Sequence, residues 1–261
     1  MYGAILGDII GSPYEFDQGN KTKEFPLFSK LSTFTDDSVM TIAVAEATMD
    51  LLHEAHGARN KMIASMKKYG KLFPRAGYGS MFRRWLQWDE PQPYGSYGNG
   101  SAMRISPVGW TCNTKEEVLA LAKKSAECTH NHPEGIKGAE ATTVAIYMAK
   151  TGRSISEIKE HIHQHYYPMD FTLNSIRDSY TYNGSCQGTV PQAIMAFLES
   201  NSFEDAVRNA VSIGGDSDTL AAITGSIAEA YYGIPAELRE EIMDYLDDFQ
   251  ISILEEFKAL I

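Results

Sequence analysis

The chain has 261 residues, 43% of them hydrophobic and 22% charged, with a formal net charge of −11. Those proportions belong to an ordinary globular protein, and the acidic balance without any Lys/Arg run argues against a nucleic-acid surface. Cys112, Cys128 and Cys186 show no C-x-x-C spacing and fit a reducing cytoplasm better than a disulfide framework, and no stretch approaches the ~18 consecutive apolar residues of a membrane span.

In chain order, Met1–Asp8 lacks a basic n-region and meets an acid too early for a signal peptide, so a cytoplasmic protein is expected. Gly3, Gly7 and Gly11 share one face of a first helix and predict close approach of another backbone. That helix should end near Ser12-Pro13, and Glu15 after it reads by itself as a solvated loop residue. A polar loop, 17–31, leads to Thr35-Asp36-Asp37, which opens an alanine-rich helix. An amphipathic segment (Asn60 to Leu72) and an aromatic one (Tyr78 to Trp88) follow. The Pro91–Gly100 stretch is rich in Pro and Gly. Its glycines could aim backbone N–H groups at an anion such as a diphosphate, although a plain surface loop is the default and neither a P-loop nor a dinucleotide fingerprint is present. Tyr94 and Tyr97 could stack on a base or cover the core.

Capping boxes at Thr114/Glu117 and Ser154/Glu157, a near relative at Ser202/Asp205, and first-turn positions for Pro133 and Pro235 mark further helices. In Thr129-His130-Asn131-His132-Pro133, one histidine is placed to cap a helix and the other to face a ligand. His161, His163 and His165 alternate without a supporting zinc ligand and read as a surface loop. Cys186 reads as structural. Gly214-Gly215 suits a left-handed turn delivering Asp216, Asp218 and Thr219 to the mouth of the next helix. Apolar periods of three to four recur and sustained period-two alternation is absent, so the fold class is all-α, with one domain over 1–261 and no internal repeat.

Thr35-Asp36-Asp37 and Asp216-Ser217-Asp218-Thr219 have mirrored compositions at two helix starts. Each alone is an ordinary N-cap. Together they offer oxygen-only ligands suited to Mg²⁺ or Mn²⁺, while Leu220 and Ala221 at the fifth and sixth loop positions exclude an EF-hand. Two carboxylates ~5 Å apart repel by roughly 3 kcal/mol at an effective dielectric near 20, so four converging acids would be forced to protonate or disorder unless cations sat between them.

In this order and at these separations, several motifs resemble the ADP-ribosylglycohydrolase family, the group that includes the dinitrogenase reductase-activating glycohydrolases. They are Gly7-Asp8, Ser12-Pro13-Tyr14-Glu15, Phe34-Thr35-Asp36-Asp37, Gly98-Asn99-Gly100-Ser101-Ala102-Met103-Arg104, Thr129-His130 and Gly214-Gly215-Asp216-Ser217-Asp218-Thr219. The resemblance spans nearly the whole chain. It implies a compact, multi-helix orthogonal bundle, monomeric, that cleaves ADP-ribose from a modified protein or small molecule. It also implies two divalent cations held by Thr35, Asp36, Asp37, Asp216, Asp218 and Thr219. Gly98, Asn99, Gly100 and Ser101 would lie along the diphosphate and His130 would hold the distal part. Glu15 would stand near the scissile bond, reversing its solvated reading. Glu15, Asp37 and Asp218 are then the candidate catalytic carboxylates. Tyr97 is a candidate for stacking on adenine.

Overall fold

A computed structural model describes residues 1–16, 21–53 and 56–261, so residues 17–20 of the expected polar loop lie outside the described residues. The described residues form helices joined by turns, with no strand beyond one isolated bridge between Gly98 and Ser185. The all-α expectation holds. Among the described residues, no helix is long and apolar enough to cross a membrane.

Three helices carry the site. Helix α1 (Tyr2–Gly11) has every residue buried, and the Ser12–Tyr14 turn of 3-10 helix follows it. Helix α2 (Asp36–His53) starts at the paired acids. Two flanking helices, α3 (Ala58–Leu72) and α4 (Ser80–Trp85), realise the amphipathic and aromatic segments. After the Pro/Gly loop come the short α5 (Gly100–Met103) and α6 (Ser106–Thr111). Helices α7 (Lys115–Ala126) and α9 (Ile155–His165) begin at the two expected capping boxes, and α8 (Pro133–Lys150) begins at Pro133. Helix α10 (Leu173–Ile176) precedes α11 (Cys186–Leu198) and α12 (Phe203–Val211). Next is α13 (Ser217–Tyr232), buried on all sides from Ser217 to Ala228, as its small and apolar residues dictate. Helices α14 (Ala236–Glu241) and α15 (Asp248–Leu260) close the chain, with Pro235 at the N-cap of α14 rather than inside its first turn.

The glycine row on α1 does what its spacing predicts. A Cβ on Gly3 would sit 2.2 Å from the Gly225 carbonyl oxygen, one on Gly7 2.0 Å from that of Ala221, and one on Gly11 2.5 Å from that of Ser217. The contacts run Gly3 to Gly225 and Gly11 to Ser217, so α1 and α13 are antiparallel and touch backbone to backbone. The C-terminal end of α1 therefore meets the N-terminal end of α13.

One expectation is corrected here. His161, His163 and His165 are on α9, not in a loop; the Lys115 ammonium lies 3.0 Å from His161 Nε2, and His163 Nδ1 accepts the Met169 N–H at 3.1 Å. Among the described residues, these histidines belong to no group of three ligand side chains gathered closely enough to hold a metal ion.

Candidate active site

The site begins with a buried acid that local reasoning does not assign. Asp8, fully buried in α1, accepts from both the N–H (2.8 Å) and the hydroxyl (2.8 Å) of Thr35, and from the N–H (3.0 Å) and hydroxyl of Ser38. Burial pushes its carboxyl upward and these four donors push back. Asp8 thus caps the start of α2 from another helix. One signal for it was available: it is the lone acid in an otherwise apolar, wholly buried helix. With its proton given to Asp8 and the Asp37 N–H accepted at 3.3 Å, the Thr35 hydroxyl keeps one lone pair for another partner.

The second helix start is built by Gly214 and Gly215, both left-handed at φ 70° and 82°. Gly215 O accepts the Phe16 N–H at 3.1 Å, and Ser217 Oγ donates to Tyr14 O at 3.2 Å. These bonds tie the Glu15 turn to the head of α13. Asp216 is the N-cap residue of α13 yet makes no side-chain capping bond. Its Oδ2 instead accepts from Asn99 Nδ2 at 2.7 Å. The capping reading of this stretch therefore yields to the converging one.

The two starts meet. Asp36, Asp37, Asp216, Asp218 and Thr219 line one cleft of about 480 Å³ together with Glu15. Thr219 Oγ1 donates to Asp37 Oδ2 at 3.2 Å, while Asp37 Oδ1 is buried and, among the described residues, has no hydrogen-bond partner. Glu15, Asp216 and Asp218 offer oxygens within 4.8 Å of one another. Burial is the largest cause of upward pKa shifts throughout. Glu15 is pushed up to about 7, with Asp216 and Asp8 adding to it, and Asp36 to about 8, with Asp8 the next contributor. Asp37 and Asp218 are held well above the ordinary carboxylate range, first by burial and then by their acidic neighbours. The N-terminal ends of α2 and α13 both face the cluster and favour negative charge there.

An orphaned carboxylate oxygen among crowded oxygen donors fits a hard divalent cation. A stability consequence follows. These carboxyls titrate near pH 4 in the unfolded chain but far higher when folded, so between about pH 4 and 8 the unfolded state sheds protons that the folded state keeps. Stability of the chelated protein should therefore fall across that window. Thermal melts are expected to show a larger Mg²⁺ or Mn²⁺ stabilisation at about pH 8 than at about pH 5; equal gains would count against cations at these acids.

The other wall contains Gly98, Asn99, Gly100 and His130. Ser101 does not reach the cleft: it is fully buried and its hydroxyl donates to Gly135 O at 2.7 Å. Asn99 lines the cleft, and its side-chain amide joins the glycine loop to Asp216 and to Thr189 Oγ1 at 3.1 Å. The histidines divide as read from sequence, with His132 capping α8 by accepting the Glu134 N–H at 3.1 Å and His130 facing the cleft. Tyr97 packs at 5.3 Å on His132, outside the lining, whereas Tyr94 lines the cleft. At the lip, Phe16 stacks on Tyr182 with ring centroids 4.9 Å apart. Cys186 is buried and its Sγ contacts Gly98 O at 3.1 Å, consistent with a structural residue.

The sequence profile of the ADP-ribosylglycohydrolase family matches residues 1–260. The chain belongs to this family. Within the family it is similar to the ADP-ribosylhydrolase ARH3 of Bos taurus, 27% identical over 90% of this chain and 84% of the relative. It is also similar to the ADP-ribosylarginine hydrolase Tri1 of Pseudomonas putida, 21% identical over 93% of this chain and 72% of the relative. A solved structure described as an ADP-ribosylglycohydrolase-related protein complex superposes with a TM-score of 0.71. It is 23% identical and covers 99% of this chain and 95% of that one, so the ADP-ribosylglycohydrolase fold is shared.

Proposed function

We propose that this chain hydrolyses the glycosidic bond between ADP-ribose and a modified acceptor, in a reaction that needs two divalent cations. The observation that carries the reading is the convergence of both acidic helix starts, Glu15, the glycine loop and His130 in one cleft. Thr35, Asp36, Asp37, Asp216, Asp218 and Thr219 are the proposed cation ligands. Bound there, Mg²⁺ or Mn²⁺ would supply Lewis acidity and neutralise the carboxylates.

The remaining work belongs to the chain. The backbone of Gly98–Gly100 lies along the diphosphate and His130 donates to the ligand beyond it. Asn99 keeps Asp216 aimed across the cleft. Glu15, half-buried in the cleft with a carboxylate oxygen within 4.8 Å of those of Asp216 and Asp218, is the acid we assign to take a proton from the attacking water. Water adds to the ribose C1 as the C1–acceptor bond breaks through an oxocarbenium-like state, and the acceptor leaves with a proton. The stacked Phe16 and Tyr182 line the same cleft.

The test is incubation with ADP-ribosyl-arginine and ADP-ribosyl-serine peptides, with Mg²⁺ or Mn²⁺ and with chelator. Release of free ADP-ribose that disappears with chelator is the expected result. Tight binding without turnover would point to a non-catalytic ADP-ribose-binding protein, and release of phosphate or nucleoside monophosphate to a two-metal phosphohydrolase; either outcome rejects the proposal.

A further inference from the structure

Behind the glycine loop lies a buried cation that the chemistry above does not use. Arg104 is 1% exposed and, among the described residues, has no carboxylate partner. Its Nη2 donates to Ser125 O at 3.1 Å and to Thr129 Oγ1 at 2.9 Å. Thr129 Oγ1 in turn lies 2.6 Å from His130 Nδ1. Thr129 is fully buried, and His130 nearly so.

The direction of these bonds follows from what each group can do. A guanidinium only donates, so Thr129 Oγ1 accepts from Arg104. The hydroxyl has one proton, and His130 Nδ1 is the acceptor it meets among the described residues. If Nδ1 carried a proton instead, two donors would converge on Oγ1 and the hydroxyl proton would be buried without a partner. A neutral imidazole that accepts at Nδ1 carries its proton on Nε2. Nε2 lies against the glycine loop: a Cβ on Gly100 would be 3.2 Å from it and one on Gly98 3.6 Å.

We infer that Arg104 and Thr129 are positioning residues that lock His130 as the Nε2–H tautomer, giving the cleft a fixed, neutral donor for an acceptor oxygen of ADP-ribose. The identity of the ligand rests on the function proposed above; the tautomer does not. Burial, helped by the Arg104 charge, holds the His130 imidazole well below its ordinary pKa, which keeps it uncharged. The ring offers no second proton to the ligand, and its one donor cannot migrate to the other nitrogen without orphaning Thr129.

The experiment is nitrogen-resolved NMR of the intact protein with isotope-labelled histidine, combined with kinetics of Thr129→Val and Thr129→Ser. The wild-type spectrum is expected to show His130 protonated at Nε2. Thr129→Val, which keeps the side-chain shape, should release the tautomer and raise KM about tenfold with kcat within about twofold, the size of one lost ligand hydrogen bond; Thr129→Ser should restore both. An Nδ1–H tautomer in the wild type would overturn the inference even if the valine variant failed to fold. So would a folded valine variant with unchanged KM. Wild-type protein that neither binds ADP-ribose nor releases it from either peptide would instead reject the proposed function, and the spectrum alone would then judge the tautomer.

Discussion

Asp218→Asn is expected to lower kcat by roughly 10²–10³-fold, the range for losing one preorganised electrostatic group, while raising the melting temperature of the metal-free protein. The two effects have one origin. Asp218 is buried beside Asp216, Asp37 and Glu15, so its charge costs stability wherever no cation offsets it. Asparagine keeps the shape and can still accept the Thr219 N–H that Asp218 Oδ1 accepts at 2.8 Å, so little local structure is lost. Removing even ~1 kcal/mol of repulsion should raise the melting point by about 2–4 °C in a chain of this size. With Mg²⁺ present the ordering should reverse, because the wild type gains binding energy that the variant forfeits. Unchanged turnover, or a metal-free variant that melts lower than the wild type, would remove Asp218 from the proposed site.

Asp8→Ala is expected to cost at least about 3 kcal/mol of folding stability, measured by urea unfolding with Mg²⁺ present. Two backbone N–H groups and two hydroxyls at the start of α2 lose their shared acceptor, and each unsatisfied buried donor costs about 1–3 kcal/mol. An opposing term exists, since Asp8 is among the charges that raise Asp36 and Asp37. Bound cations suppress that repulsion, which is why the measurement includes them. Asp8→Asn keeps a carbonyl oxygen able to accept part of the set and should fall between wild type and alanine. A loss for Asp8→Ala below about 1 kcal/mol would show that the α2 start is held by other means.

What the sequence made legible was mostly local. The capping boxes at Thr114 and Ser154, the left-handed Gly214-Gly215 turn and the division of labour between His130 and His132 all depend on residues a few positions apart, where backbone geometry leaves few options. Long-range partners were harder. The mirrored acids at Asp36 and Asp216 suggested a meeting, but only folding could bring them into one cleft. Asp8 contacts residues 27 and 30 positions away, and Asn99 one 117 away, so no spacing rule could assign their partners. Ser101 looked like a loop ligand because it adjoins the glycine loop that lines the cleft; its first-turn position in α5 rotates the hydroxyl inward to Gly135 O. The His161–His165 run looked like a loop because alternation hides the helical period, yet His161 and His165 sit one turn apart with rings 4.5 Å from each other. Tyr97 and Tyr94, three residues apart, could not be told apart by type, and the fold chose Tyr94 for the cleft.

The glycine seam between α1 and α13 bears on how this cleft tolerates change. Elsewhere in the core, a substitution can be absorbed when a neighbouring rotamer shifts. Along Gly3, Gly7 and Gly11 nothing can shift, because the facing surface is main chain. The gap between the Glu15 turn and the Asp216–Asp218 segment is thus gauged by the thickness of two peptide backbones, a dimension that side-chain drift cannot alter. A single methyl at Gly7 would act like a spacer in that gauge, prising Glu15 away from Asp216 and Asp218.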